Sequence, residues 1–487
     1  MPFLVRDAKP VIVLPTASPP SPGVRAADMS RIRRRRSGNG TTLCVRQRLF
    51  LFSLLCDNGE DMKKKQHRVP WWKKSLRILG PGIITGAADD DPAGIVTYTI
   101  AGAQGGFAFL WTAVLTFPFM VAIQEMCARI GMVTGHGLAG VMKRQYSRPL
   151  LWLVMVLVVF ANTVNIGADL GGMAEAVALL IPLPPLLLGA VLAGGMISLM
   201  IFLPYRLIAK TLKWLTLALF AYIFAAVAAR PDWGAVVRAT FLPTIAWNRE
   251  TLMVLVAVLG TTISPYLFFW QASEEVEERN GANTFRVQHH IVTKTELVHM
   301  RADVGVGMLF SNIVMYFIMV NAGAVFHAHG ITELTSAGQV ASALAPLAGP
   351  LATLLFVIGV LGTGLLAIPV LAGSTAYVVA ETFGVEEGLN KRFSQAKVFY
   401  IVMALATFFG FLLNISGIPP LQALFASAVL SGILSPPLIA VILDIANRKS
   451  IMGNKTNTLL QNILGGVTLV CMTVAAGALL WSLAWGN

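Results

Sequence analysis

Three consecutive carboxylates, Asp89, Asp90 and Asp91, stand directly before Pro92-Ala93-Gly94 in the middle of an apolar stretch. Carboxylates buried in such surroundings are costly and point to a functional site by default. Proline removes a helical hydrogen bond and turns the residue before it, here Asp91, away from helix. A carboxylate beside freed carbonyl oxygens is the ligand set of a hard divalent cation. A surface loop between two short helices is the alternative; apolar residues on both sides and a length suiting one interrupted span argue for the site.

A second break has the same form. Gly260-Thr261-Thr262-Ile263-Ser264-Pro265-Tyr266 places a proline after small hydroxyl residues inside another apolar stretch. Alone it is an ordinary kink, but together Pro92 and Pro265 interrupt two spans five apart. Broken helices at equivalent places in two halves point to an inverted-repeat transporter with its site near the bilayer midplane. Further polar candidates along an ion path are Asp169, which could equally be a hydrogen-bonded core acid, and Gln422, which could equally cap its helix. Glu125 is expected to form a structural ion pair with Arg129, four residues on.

The elements that position these residues are membrane helices. The chain is 56% hydrophobic and 13% charged, with a mean hydropathy of +0.70. Its apolar residues come in continuous runs of about 20, the length that crosses a bilayer core, and not in the alternation of a barrel. The spans fall near 76–104, 108–131, 149–176, 184–204, 209–229, 251–271, 304–326, 349–383, 395–415, 418–445 and 461–484. The expected fold is therefore all-α and integral to the membrane, with about eleven transmembrane helices. The repeats are about 76–229 and 251–445, followed by an extra helix at about 461–484.

The net charge of +13 does not imply nucleic acid, because the basic residues flank the spans. Loops on one side hold sixteen, among them Lys143, Arg144, Lys391 and Arg448; the other side holds Arg230, Arg238 and Arg249. The positive-inside rule then places the N-terminus in the cytoplasm and the C-terminus outside, in a bacterial inner membrane. Cys44, Cys56, Cys127 and Cys471 form no CxxC pair and suggest neither a disulfide nor a metal cluster. A polar loop at about 273–303 opens with Ser273-Glu274-Glu275-Val276-Glu277-Glu278 and carries His289, His290 and His299. It reads as a solvated linker whose acidic start could concentrate cations at an exit. Residues 1–61 are rich in Pro, Arg and Ser and could be a signal peptide or an Arg-rich transit sequence. Because Met62-Lys63-Lys64-Lys65 has the look of a cytoplasmic start, they read rather as a disordered extension from a start placed too early, with 62–487 the membrane domain and no function assigned to the extension.

With these breaks in view, residues 73–484 resemble the Nramp family of divalent-metal transporters. The carriers are Gly80-Pro81-Gly82 leading to Asp91-Pro92-Ala93-Gly94, Gln124 with Ala128 to Gly135, and Pro265. The resemblance implies a LeuT-type (5+5) inverted repeat with helices 1 and 6 broken. It makes Asp91 the metal-binding aspartate and Thr261 the source of a backbone carbonyl. The departures matter as much. Gly94 stands at the family's asparagine and Ser264 at its methionine, so a soft thioether gives way to hard oxygen, as in the Nramp-related magnesium transporters. Tyr266 and Gln271 stand at the sixth-helix histidines, and Gly172 at a third-helix glutamate near Asp169, which implies weak or absent proton coupling.

The implied activity is uptake of Mg²⁺ or Mn²⁺ by alternating access, the ion held by Asp91 with Asp90 or Asp89 and oxygens near Thr261, Ser264 and Gly94. The partners are the lipid bilayer and the divalent metal ion, which is cargo; no cofactor, catalytic residue or enzyme activity is expected, and the oligomeric state is undetermined. A sodium- or proton-coupled organic-solute symporter on the same fold is the competing reading.

Overall fold

The computed structural model describes residues 81–485 apart from 204, 206, 208–217, 245–247 and 283–291, and of 280–282 the backbone only. The chain divides into Met1–Pro70 and Trp71–Asn487. The extension 1–61, Gly80, His289 and His290 lie outside the described residues.

The described residues form helices and no strands. The first span is α1 (Pro81–Asp89) and α2 (Pro92–Gly105); the second is α3 (Trp111–Thr134), followed by a short α4 (Leu138–Gln145). Then come α5 (Arg148–Ala178), α6 (Pro185–Phe202) and α7 (Phe220–Ala228). The sixth span is α8 (Arg249–Thr262) and α9 (Pro265–Ala282). The remaining long helices are α10 (Lys294–Val325), α11 (Ala352–Phe383), α12 (Lys397–Leu413), α13 (Pro420–Asn447) and α14 (Leu459–Trp485), with short helical turns between some of them. Nine stretches among these residues are long and apolar enough to cross a membrane. The expected spans missing from that set are the first, whose halves are each too short, and the fifth, partly outside the described residues.

Sequence identity between the halves is too low to reveal a repeat, but the packing reveals it. The first span lies against the seventh (α10), and the sixth lies against the second (α3). Across the centre α1 meets α9 and α2 meets α8, while the third span (α5) packs on its counterpart, the eighth (α11). That exchange of partners is what a two-fold axis in the membrane plane requires. Backbones come very close where α1 crosses α10: a Cβ on Gly86 would stand 2.1 Å from the Gly307 carbonyl oxygen. Small residues allow such contact where no hydrophobic effect drives helices together. Gly364 of the eighth span likewise faces Met173, where a Cβ would lie 2.2 Å from the sulfur.

Burial separates scaffold from centre. The apolar window of the sixth span is 94% buried, whereas that of α6 is 28% buried. Leu186, Leu187 and Val191 on α6, with Phe408 and Phe409 on α12, point outward as lipid-facing side chains do. One expected boundary is corrected. The stretch from Ser273 to Glu278 is not loop but the continuation of α9, and Ser273, Glu274 and Glu275 are buried. Glutamate is a good helix former, so nothing in the sequence stops the helix there.

Candidate metal centre

The first break is made by Asp90 and Asp91. Asp91 is extended (φ −71°, ψ 172°) and caps α2, accepting a hydrogen bond from the Gly94 amide at 2.7 Å through Oδ1. Its Oδ2 accepts from Asn165 Nδ2 on α5 at 3.2 Å. Asp169, one turn further along the same face of α5, is fully buried, and neither carboxylate oxygen has a well-formed hydrogen bond. Asn165 Oδ1 also lacks a donor. Asp91 thus meets the face of α5 that carries Asn165 and Asp169.

Asp89 and Asp90 face the other way. Ser311 on α10 donates to Asp89 Oδ2 at 2.6 Å, and its hydroxyl lies 3.2 Å from Asp90 Oδ1. Asp89 Oδ1 and Asp90 Oδ2 are buried without a donor. The three aspartates therefore do not converge; among the described residues no group of three acidic, histidine or cysteine side chains is placed to hold a metal together. Successive residues at a helix end project in different directions, which the bare run of Asp could not reveal. Nor is a base at hand: among the described residues Arg129 is the buried one, and α14 holds it.

The second break lies at Ile263 and Ser264. Here the oxygens are engaged with one another. Ser264 donates to the Thr261 carbonyl at 2.6 Å, Ser435 of α13 donates to the Ile263 carbonyl at 3.0 Å, and Thr262 donates to Val258 at 2.6 Å. Tyr266 reaches across to donate to the Ala88 carbonyl at 2.8 Å, so it closes the end of α1. A thioether does come near: Thr262 also contacts Met315 sulfur at 3.5 Å. At Gly94 the space is bounded, because a Cβ there would stand 3.2 Å from Thr261 Oγ1. The room expected from loss of the asparagine is thus partly filled by Thr261. Gly172 is covered by Leu424, whose Cδ1 would lie 2.6 Å from an added Cβ.

Toward the basic-loop side, Gln271 accepts from the Thr85 hydroxyl and donates to Glu275 at 3.1 Å. Asp303 of α10 accepts from the Gly82 amide at 2.6 Å, tying α1 down. Beyond them a cavity of about 350 Å³ is lined by Glu277, Glu381 and Glu387 among others. Glu387, in the loop after α11, has its carboxyl pushed up to about 9 by burial, with Glu381 and Glu277 adding repulsion. On the opposite side Gln422 and Gln104 line a cavity of about 380 Å³ between α2, α8 and α13. Gln422 thus faces an open space and does not cap α13, which begins at Pro420 without a side-chain cap.

The expected Glu125–Arg129 pair does not form. Glu125 accepts from Arg301 Nε at 2.6 Å and from Gln461 at 2.7 Å, while Arg129 donates to Gln461 at 2.9 Å and to Asn457. Spacing puts both on one face of α3, but the amide oxygens of Gln461 on α14 and of Asn457 just before it draw the guanidinium away. Glu125 therefore belongs to a polar seam joining spans two, seven and eleven, away from the breaks. Asn165 and Ser311 are the site residues that sequence reasoning missed. The signal for Asn165 was its place four residues before Asp169 in an apolar span; Ser311 had only its polarity among apolar neighbours.

A family model described as "Natural resistance-associated macrophage protein-like" matches residues 82–482. A divalent metal cation transporter MntH of Yersinia enterocolitica is 28% identical over 419 residues, spanning 84% of this chain and 95% of that protein. The protein of the same name from Deinococcus radiodurans is 26% identical over 426 residues, spanning 85% and 92%. A solved manganese transporter of Eremococcus coleocola superposes with a TM-score of 0.68 at 18% identity, covering 86% of this chain and 90% of that one. At that identity the likeness establishes a shared fold.

Proposed function

The chain belongs to the Nramp family, and from that premise we propose that it takes up divalent cations, Mg²⁺ and also Mn²⁺, by alternating access without an obligatory proton. The observation carrying this reading is the set of buried carboxylate oxygens without a well-formed hydrogen bond at and beside the first break, on Asp89, Asp90 and Asp169, with no base among them. Buried carboxylates without counter-charge are costly, and a cation relieves that cost. Asp91 anchors the ion, with oxygens near Thr261 and Ser264 at the rim; Asp89 and Asp90 add negative field from the seventh-span side.

Hard oxygen in place of a thioether supports a preference for Mg²⁺ over the manganese named for the solved Eremococcus coleocola transporter. Weak coupling is supported by the occupants of the family's titrating positions: Tyr266 is bound to Ala88, Gln271 does not titrate, and Leu424 fills the space at Gly172. Voltage suffices as a driving force. A divalent cation crossing −100 mV gains about 4.6 kcal/mol at about 2.3 per charge, or a gradient of roughly 2,000-fold. An organic-solute symporter is disfavoured, because the α2 N-terminus that would meet a substrate carboxylate is already capped by Asp91.

Proteoliposome uptake tests the proposal. Mg²⁺ should accumulate under an inside-negative potential with no matching proton influx. Robust metal-driven acidification, lost in Asp91→Ala, would overturn the uncoupled reading.

A further inference from the structure

We propose that the side-chain oxygen of Asn165 is a ligand of the transported cation, so that the third span supplies the amide that position 94 lacks. The inference rests on the divalent-cation reading above and deepens it. Asn165 is 5% exposed, its Nδ2 stands 3.2 Å from Asp91 Oδ2, and its Oδ1 has no donor. Chemistry sets that orientation, since only the NH₂ end can donate to a carboxylate. A buried acceptor left unused is costly, so it needs a second task.

A half-turn about χ2 exchanges the two ends of the amide. It brings Oδ1 to the place of Nδ2, 3.2 Å from Asp91 Oδ2. In an octahedral shell with metal–oxygen distances of about 2.1 Å, adjacent ligands lie about 3.0 Å apart. The two positions that make a hydrogen bond therefore also make one edge of a Mg²⁺ shell. Asp169, on the next turn, brings two more oxygens to the same wall. Position 94 is glycine and offers no amide, and a Cβ there would sit tightly, 3.2 Å from Thr261 Oγ1 and 3.4 Å from Asp91 Oδ1. As the ion departs, the amide turns back and donates to Asp91, which lowers the cost of leaving that carboxylate bare.

Calorimetric titration of the purified full-length protein with MgCl₂ tests this, on wild type, Asn165→Ala, Asn165→Asp and Asp91→Ala. Asn165→Ala should bind Mg²⁺ about 10- to 100-fold more weakly. Asn165→Asp, which keeps an oxygen and loses the NH₂, should stay within about tenfold of wild type and, should the alanine variant not fold, decides alone. Two results overturn the proposal: a monodisperse Asn165→Ala within twofold of wild type, or an Asn165→Asp as weak as the alanine variant, which would make the amide a positioning donor to Asp91. Asp91→Ala separates the levels. If it abolishes binding while Asn165→Ala does not, only the amide ligand is lost; if Asp91→Ala binds normally, the cation reading itself fails.

Discussion

The two helix breaks are built on opposite principles. Both follow from a proline, and both lie deep in the bundle. At the first, carboxylate oxygens of Asp89, Asp90 and nearby Asp169 stay without a well-formed hydrogen bond. At the second, Ser264, Ser435 and Thr262 turn their hydroxyls onto carbonyls, and the backbone is satisfied from within. On the proposed function the first break offers its carboxylate oxygens to a cation, while the second carries shape. In a low dielectric such a division keeps under-bonded carboxylates at the one place where, on the proposed function, the cargo would meet them.

The largest effect should come from the charge itself. Asp91→Ala is expected to cut Mg²⁺ and Mn²⁺ uptake in proteoliposomes at least 100-fold; uptake above a tenth of wild type would mean that the charge is not carried at this break. Next comes the other wall of the same break. Ser311→Ala removes the hydroxyl shared by Asp89 and Asp90, and initial uptake rates should fall about tenfold, since charge-assisted hydrogen bonds contribute about 1.5–3 kcal/mol.

The second break should respond in kind rather than in amount. Ser264→Met restores a soft ligand, and the ratio of Mn²⁺ to Mg²⁺ affinity should rise about tenfold in titrations. An unchanged ratio would show that residue 264 does not touch the ion. The smallest effect belongs to Ser435→Ala. Leaving the Ile263 carbonyl without its donor should lower stability by about 1 kcal/mol, read as a small drop in melting temperature in detergent, with Mg²⁺ affinity within twofold. A large loss of affinity there would erase the contrast between the breaks.

Much of this architecture was legible because membrane constraints are strict. Apolar runs about as long as a bilayer is thick admit one secondary structure, and α5, α6, α12, α13 and α14 begin and end within two residues of the expected limits. Pro92 and Pro265 marked the breaks because proline acts on its own backbone. The reading failed where direction mattered. Glu125 and Arg129 share a face of α3, yet their partners are Arg301 and Gln461 on other helices. The acidic stretch from Ser273 looked like a linker because polarity resembles solvent exposure, whereas α9 runs on and buries it.

By itself, the sequence determined that two membrane helices break at prolines, one of them beside a run of carboxylates, and that neither sulfur nor histidine accompanies them at the matching positions. Those are local consequences of residue type. Only the tertiary structure decided which way each carboxylate turns: Asp91 toward Asn165 and Asp169, and Asp89 with Asp90 toward Ser311. Partners dozens to hundreds of residues away impose that choice, because hydrogen bonds depend on where helices cross and not on where residues fall along the chain. The first break was written in Asp89 to Gly94; the shape of its site was written by the third and seventh spans.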